Sequence, residues 1–311
     1  MTPLVTRGLV TRGLVTRGLG RRYGRIWALR ECHLAVPAGH VAALVGPNGA
    51  GKTTLLHLAV GLDRPTAGQV RVLDGLIPGS PAALAGTGFV AQDAPLYQHL
   101  TVAATLDLAR SLNQRWDSAQ VTQRLGRLGI PLGHRVGALS GGQQAQLALA
   151  LALAKGPRLL LLDEPLARLD PLARHEFLCL LMAAVAETGL SVIFSSHVLA
   201  ELERIADYLI VLNAGRLQVA GRVDDLLAAH RVLTGPADAL AACDGLSPVR
   251  VLRTGTQVCA VVRGSRPGRP LVCDGCEVHP IGLEELVLAY LREPGANALP
   301  GPETAVAGGR P

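Results

Sequence analysis

Aromatic side chains are scarce: Phe, Trp and Tyr together make up 3% of the 311 residues. Because 49% of the chain is apolar, a sizeable core has to be built from Leu, Val and Ala. Lysine stands only at positions 52 and 155, so the net charge of +6 is carried by arginine. There is no Arg/Lys run and no basic stretch interleaved with aromatics, which argues against a nucleic-acid partner. At most, the cationic excess favours an anionic membrane surface. No apolar run reaches the ~18 residues that cross a bilayer. The longest, 147–154 and 178–186, suit buried helices. An apolar signal-peptide core is missing near Met1, so the expectation is a protein that is soluble or held at a membrane by a partner. Six cysteines are too few for a disulfide scaffold in a chain of this length.

What is present is organised around Gly46-Pro47-Asn48-Gly49-Ala50-Gly51-Lys52-Thr53-Thr54. This is the spacing G-x-x-x-x-G-K-[ST], preceded by the strand-like run Val41–Val45 and followed by a helical run from Thr54. A phosphate chain needs many donors at close range. Glycines let the backbone curl so that N–H groups converge, and the helix start adds its unpaired N–H groups. Lys52 then reaches the β- and γ-phosphates, and Thr53 offers its hydroxyl to Mg²⁺. A nucleotide-binding chain without a leader belongs in the reducing cytosol, where its thiols are expected to be free.

Elsewhere the chain reads as an α/β pattern. Residues 4–18 repeat Leu-Val-Thr-Arg-Gly three times, a period that matches no solenoid. Residues 1–13 are therefore read as a duplicated lead-in, with only the copy at 14–18 entering the first strand. Tyr23 is an aromatic placed to stack on a purine. A strand ending in Gln92 follows, then helices over 102–130. Leu139-Ser140-Gly141-Gly142-Gln143 opens a long Ala/Leu helix. Four leucines, 159–162, lead to Asp163-Glu164, and strand-terminal carboxylates of an α/β sheet stand where ligands bind. Asp170-Pro171 starts a helix, and Ser191–His197 is a strand with a polar end. Beyond Thr234-Gly235-Pro236 the pattern changes to a hairpin through Gly255 and a helix over 282–291. Residues from 292 onward, rich in Gly, Pro and Ala, read as a disordered tail. Cys273-Asp274-Gly275-Cys276 is a lone C-x-x-C, with no second pair at zinc spacing, and reads as incidental thiols.

The phosphate loop, Leu-Ser-Gly-Gly-Gln and Leu-Leu-Leu-Leu-Asp-Glu-Pro, in that order, resemble the ATP-binding cassette of ABC transporters, in the single-cassette form of exporter, drug-resistance and ABC-2 systems. The resemblance covers about residues 15–225. It implies an α/β P-loop NTPase cassette over 14–230, with a RecA-like core, an antiparallel β subdomain and a helical signature subdomain. A small α+β appendage is assigned to 236–291. Carried over residue by residue, Tyr23 stacks on adenine and Gly46 to Thr54 form the Walker A loop. Gln92 is the Q-loop residue that senses Mg²⁺ and water. Ser140, Gly141, Gly142 and Gln143 are the signature that meets the γ-phosphate held by a second cassette. Asp163, with Thr53 and Gln92, holds Mg²⁺; Glu164 is the base; Asp170 belongs to the D-loop; and His197 is the switch histidine. The implied ligands are ATP and Mg²⁺. The implied partners are a second cassette, identical or paired, and an integral membrane permease on whose cytoplasmic face the chain sits. Family wording favours export. The residues after the signature, Gln144, Ala145 and Gln146, replace the usual basic ones and suggest altered surface contacts. A soluble cassette acting in translation or DNA maintenance is the competing reading. Translation members carry two cassettes per chain, and chromosome ATPases insert a long coiled coil for which the roughly ninety residues between loop and signature leave no room.

Overall fold

The computed structural model describes residues 11–93, 95–196, 199–241, 243, 246–264, 273 and 275–296. Along the chain, β1 (Arg12–Tyr23) and β2 (Ile26–Pro37) form a hairpin closed by Gly24-Arg25, with Gly24 at φ +59. Then come β3 (Val41–Val45), α1 (Lys52–Val60), β4 (Ala67–Val72), α2 (Pro81–Gly86) and β5 (Thr87–Val90). A helical stretch follows: α3 (Val102–Leu112), α4 (Ser118–Arg127), a 3-10 turn at Val136–Ala138, and α5 (Gly141–Ala154). After it come β6 (Leu159–Asp163), α6 (Pro171–Thr188), β7 (Ser191–Ser196), α7 (Leu199–Leu202), β8 (Tyr208–Asn213) and β9 (Arg216–Arg222). The last part runs α8 (Val223–Ala229), β10 (His230–Pro236), α9 (Ala237–Ala241), β11 (Leu246–Thr254), β12 (Gln257–Gly264), β13 (Glu277–Pro280) and α10 (Leu283–Arg292).

The described strands make three sheets. The largest has the order β5-β6-β7-β3-β8-β9, with β9 antiparallel to β8 and the other neighbours parallel. Its inner strands are buried on both faces, which is why they read as continuous apolar runs rather than alternating ones. Leu159, Leu160, Leu161 and Leu162 are each at most 1% exposed, and burial contributes about 1.5–3 kcal/mol per side chain. A second sheet, β2-β1-β4, is antiparallel and packs its Leu14, Leu19, Leu29 and Leu34 with α1 in one core. A third core joins α3, α4 and α5 through Val102, Val121, Leu125 and Leu147. No helix among the described residues is long and apolar enough to cross a membrane.

The first strand begins earlier than the repeat implies. Thr11–Gly13, from the second copy, are bonded on both sides: Ala38 N donates to Thr11 O, Leu73 N to Gly13 O and Asp74 N to Arg12 O. The boundary at 13/14 is therefore corrected: the strand takes in the end of the second copy as well as the third. Residues 1–10 lie outside the described residues. The third copy differs because its Gly18 takes φ +55 at a register shift of β1, where Gly68 closes on Gly18 O.

The region after residue 230 forms the antiparallel sheet β11-β12-β10-β13. Its β10 falls between the two ranges read from sequence and is an inner strand. One continuous core runs from Phe177, Phe194 and Val219 to Val232, Val261, Leu286 and Tyr290, so this sheet and α10 pack onto the nucleotide-loop sheet. Asn213 Nδ2 donates to Leu291 O at 3.0 Å and Gln218 Nε2 to Glu293 O at 3.0 Å. Arg292 thus ends a helix rather than opening a tail, and residues 297–311 lie outside the described residues.

Candidate nucleotide-binding site

The sheet order decides what meets at its carboxyl edge. Register pairs Asp163 with Ser195 and Val45 with Ser196, so the ends of β6, β7 and β3 stand side by side. Gly46 leaves β3 directly into the loop. A Cβ at Gly46 would lie 2.1 Å from Leu212 O, and one at Gly51, which takes φ +106, would lie 2.5 Å from Ala28 O. Both glycines are required by this close backbone approach. Gly49, at φ +79, has open space beyond its Cα. Pro47 and Asn48 are exposed, and Ala50 is buried, its N–H closing the turn on Pro47 O at 3.1 Å.

Lys52 is 5% exposed, and its Nζ donates to Gly46 O at 2.8 Å and Pro47 O at 3.3 Å. The same Nζ lies 3.1 Å from Glu164 Oε1. Thr53 is exposed and Thr54 half-buried, both in the first turn of α1. The loop therefore offers a curled backbone, a helix start and one ammonium facing a carboxylate.

Asp163 is 1% exposed, and its Oδ1 accepts a 2.8 Å hydrogen bond from Ser195 Oγ. Ser195 Oγ in turn accepts from Glu164 N at 2.8 Å. One buried hydroxyl thus fixes both members of the acidic pair. Glu164 takes φ +44, a left-handed conformation that costs about 1–2 kcal/mol for a residue with a Cβ. Ser195 was not singled out from the sequence. Its one signal was a strand that turns polar at its end, next to His197, and His197 itself lies outside the described residues. Gln92 is exposed, two residues past Val90, which pairs with Leu162. The segments that leave β5 and β6 at this edge carry Gln92 and Glu164. Arg168 and Asp93, 2.8 Å apart, join the two segments beyond.

The signature residues form a second group. Ser140 caps α5: its Oγ accepts from Gln143 N at 3.2 Å, and Gln143 Oε1 accepts from Ser140 N at 3.1 Å. This reciprocal cap leaves Gly141 exposed at the helix start. A Cβ at Gly142 would come within 2.6 Å of Ala173 Cβ, so glycine here lets α5 approach the first turn of α6. Asp170 caps α6, its Oδ1 accepting from Leu172 N and Ala173 N, both at 3.0 Å. The residue read as a D-loop contact is thus also a structural cap, and it sits with the signature group. Gln146, expected at the surface, is 2% exposed and donates to Glu176 Oε2 at 2.7 Å, tying α5 to α6. That expectation is corrected: Gln146 is buried, and its amide finds a partner in the carboxylate of exposed Glu176.

Tyr23 stands at the tip of the β1-β2 hairpin, 48% exposed. Its hydroxyl donates to Asp63 Oδ2, and the Arg21 guanidinium lies 4.6 Å from its ring centroid and 2.6 Å from Asp63. Asp63 follows the far end of α1, away from the loop at the start of that helix.

The donor set fits a phosphate chain with a hard cation. Two glycines make a cradle that Cβ atoms would fill, one buried ammonium lies at its floor, and a strand-end carboxylate is held in place by a hydroxyl. The loop, the parallel sheet and this convergence define a P-loop nucleotide-binding protein.

The family described as ABC transporter matches residues 29–167. A second, an AAA domain described as a putative AbiEii toxin of a Type IV TA system, matches residues 134–203. The sulfate/thiosulfate import ATP-binding protein CysA 2 of Chromobacterium violaceum is 40% identical over 207 residues, covering 65% of this chain and 56% of its own. The lipoprotein-releasing system ATP-binding protein LolD of Cereibacter sphaeroides is also 40% identical, covering 63% of this chain and 92% of its own. The chain thus spans nearly all of LolD and just over half of CysA 2. A solved ATP-binding subunit of an ABC transporter superposes with a TM-score of 0.61 at 28% identity, covering 68% of this chain and 91% of that one. The chain belongs to the ABC transporter ATP-binding subunit family, whose members are ATPases coupled to transport.

Proposed function

We propose that this chain binds and hydrolyses ATP to power a substrate across a membrane through a separate permease. The contact between Lys52 Nζ and Glu164 Oε1, 3.1 Å across the loop and the end of β6, supports the reading most directly. It puts the phosphate-binding cation and the base within reach of the same atoms. Binding ATP brings the γ-phosphate to Lys52, whose ammonium transfers from the carboxylate to phosphate oxygens. Glu164 is then released toward the position of the attacking water, which it orients and from which it accepts a proton. Mg²⁺, held by Asp163 and Thr53 near Gln92, supplies positive charge to the phosphate oxygens when bound. Backbone N–H groups of Gly46 to Thr54 stabilise the charge that develops on the transferred group.

The signature completes the site in a second copy or a paired cassette. Ser140, Gly141, Gly142 and Gln143 crown a helix start, which is a binding place for anions. In this chain they sit with Asp170 rather than with Lys52. A head-to-tail pair would bring Ser140 of one protomer to the γ-phosphate on Lys52 of its partner. Hydrolysis then depends on assembly. Tyr23 stacks on the adenine, and His197 contacts the γ-phosphate.

The permease places the chain at the cytoplasmic face of the membrane. The relatives' names divide between import and lipoprotein release, and export is the direction proposed here on the family wording of the motifs. Co-expression with a candidate multi-spanning permease tests the assembly. The expected result is a shift of this chain from the soluble to the membrane fraction. If the chain alone pellets with lipid vesicles at physiological salt, membrane attachment is its own property and the permease reading fails.

A further inference from the structure

Three of the six cysteines meet at one place outside the nucleotide site. Cys243 follows α9, and Cys273 and Cys276 bracket the turn before β13. Their Sγ atoms all lie within 4.8 Å of one another. Cys243 and Cys273 are joined as a disulfide, which corrects the expectation of free thiols at these two positions. Cys276 remains a thiol beside them.

The turn is built to hold this arrangement. Cys276 N donates to Cys273 O at 3.1 Å, and Gly275 takes φ +83. A Cβ at Gly235 on β10 would lie 2.9 Å from Cys276 Sγ, so the strand presents a glycine where the third sulfur sits. Cys273 is buried against Leu233, Ala260 and Val262, while Cys243 and Cys276 are half-buried at the edge of that small core. Among the described residues, the site is thus walled on one side by apolar side chains. A disulfide uses two of the three sulfurs and gives the fixed position of Cys276 no chemistry.

We propose that, once reduced, Cys243, Cys273 and Cys276 bind one thiophilic d¹⁰ cation as a trithiolate site. Thiolate sulfur selects zinc and copper(I) over harder ions. With a metal–sulfur bond near 2.3 Å, three thiolates around one ion stand about 4 Å apart, so the cluster already has the span of such a site and reduction lets the Cys243 and Cys273 sulfurs separate to that distance. His279 is not a fourth ligand in this structure, because its Nε2 lies 3.1 Å from Thr234 Oγ1. The three-sulfur set suits copper(I) directly, and zinc with a water in the fourth position. The chemistry balances as follows. A tertiary phosphine and one water reduce the disulfide to two thiols and leave the phosphine oxide. Three thiols then release three protons as they bind one ion.

The test uses the full chain, reduced with a phosphine and desalted without oxygen. One portion is titrated with zinc against a chromophoric chelator, another with copper(I) against a copper(I)-specific chelator. One ion per chain in either arm, with a raised Tm, is expected, and the stronger arm identifies the metal. Cys243→Ser, Cys273→Ser and Cys276→Ser should each weaken binding by more than the roughly 10–100-fold that follows loss of an outer-shell partner. Cys179→Ser and Cys259→Ser should bind as the unmodified chain does. Cys276→Ser leaves the Cys243–Cys273 pair intact, so it separates loss of a site from loss of the fold. No ion retained in either arm, or full binding by folded Cys276→Ser, overturns the proposal.

Discussion

Ser195 Oγ is shared between the two acidic residues of the site: it donates to Asp163 Oδ1 and accepts from Glu164 N, each at 2.8 Å. Its place on β7, paired with Asp163 on β6, makes the sharing possible. The hydroxyl both orients a carboxylate suited to a hard cation and holds Glu164 in a left-handed backbone conformation.

Ser195→Ala should therefore disturb chemistry and stability together. Removing the hydroxyl leaves a buried carboxylate oxygen and a buried N–H without this partner, at about 1–3 kcal/mol. Thermal melting should fall by a few degrees. ATPase kcat should drop more than nucleotide affinity, because Lys52 and the loop are untouched. Unchanged melting and unchanged kcat would remove Ser195 from the site.

Lys52→Ala removes the buried ammonium of the phosphate loop. Charge-assisted hydrogen bonds contribute about 1.5–3 kcal/mol, so affinity for a fluorescent ATP analogue should fall roughly 10–100-fold or more. Glu164 also loses its 3.1 Å partner, so the substitution will not be silent in the nucleotide-free protein. Affinity within twofold of the unmodified chain would place nucleotide binding elsewhere.

His230 makes stability depend on pH. It is fully buried between β10 and α10; its Nδ1–H donates to Leu226 O at 2.7 Å, and its Nε2 accepts from Tyr290 OH at 2.8 Å. Burial chiefly, with the nearby Arg263 charge, holds its pKa below the usual value, while burial raises Tyr290 to about 12. Both bonds suit the neutral ring. Since the unfolded chain takes up the proton more readily, the His230 contribution is intact above about pH 6.5 and is lost as pH falls from there toward the folded pKa. Melts from pH 8 to pH 5 should show Tm falling below about pH 6.5. His230→Gln should be less stable at pH 8 and should lose less on acidification. Parallel curves for the two proteins would rule His230 out as the cause.

Much of this architecture is legible in the residues because doubly buried strands announce themselves. Val41–Val45, Leu159–Leu162 and Ser191–Ser196 are short apolar runs followed by a glycine loop, a carboxylate pair or polar residues. What is hidden is what depends on long-range pairing. β10 passes as a linker because Thr234-Gly235-Pro236 looks like a break. Pro236 is in fact tolerated at the end of the strand, opposite Gln257, and Gly235 is needed for the close approach of Cys276. β9 follows the two-residue turn Ala214-Gly215, both at positive φ, yet Ala214 carries no turn signal of its own. Ser195, Gln146 and Cys243 acquire their roles from partners 32, 30 and 30 residues away. No local pattern encodes such meetings.

Glu164→Gln separates binding from chemistry. The amide keeps the size of the side chain and can still hydrogen-bond a water. It cannot accept a proton. The backbone N–H of residue 164 would still reach Ser195 Oγ, so the left-handed turn and the position of Asp163 should persist. Lys52, freed from a carboxylate 3.1 Å away, should bind phosphate at least as well as before. Bound ATP that is not cleaved then holds two chains together, through Lys52 of one and Ser140 of the other. The expected outcome is a stable ATP-dependent dimer on size-exclusion chromatography, with hydrolysis reduced by ~10² or more. Adding Ser140→Arg should abolish the dimer, because a bulky side chain at the start of α5 blocks the bridge between that helix start and the phosphate. Hydrolysis by Glu164→Gln at the unmodified rate would remove Glu164 from the mechanism. A dimer that persists with Ser140→Arg would place the closing contact outside the signature.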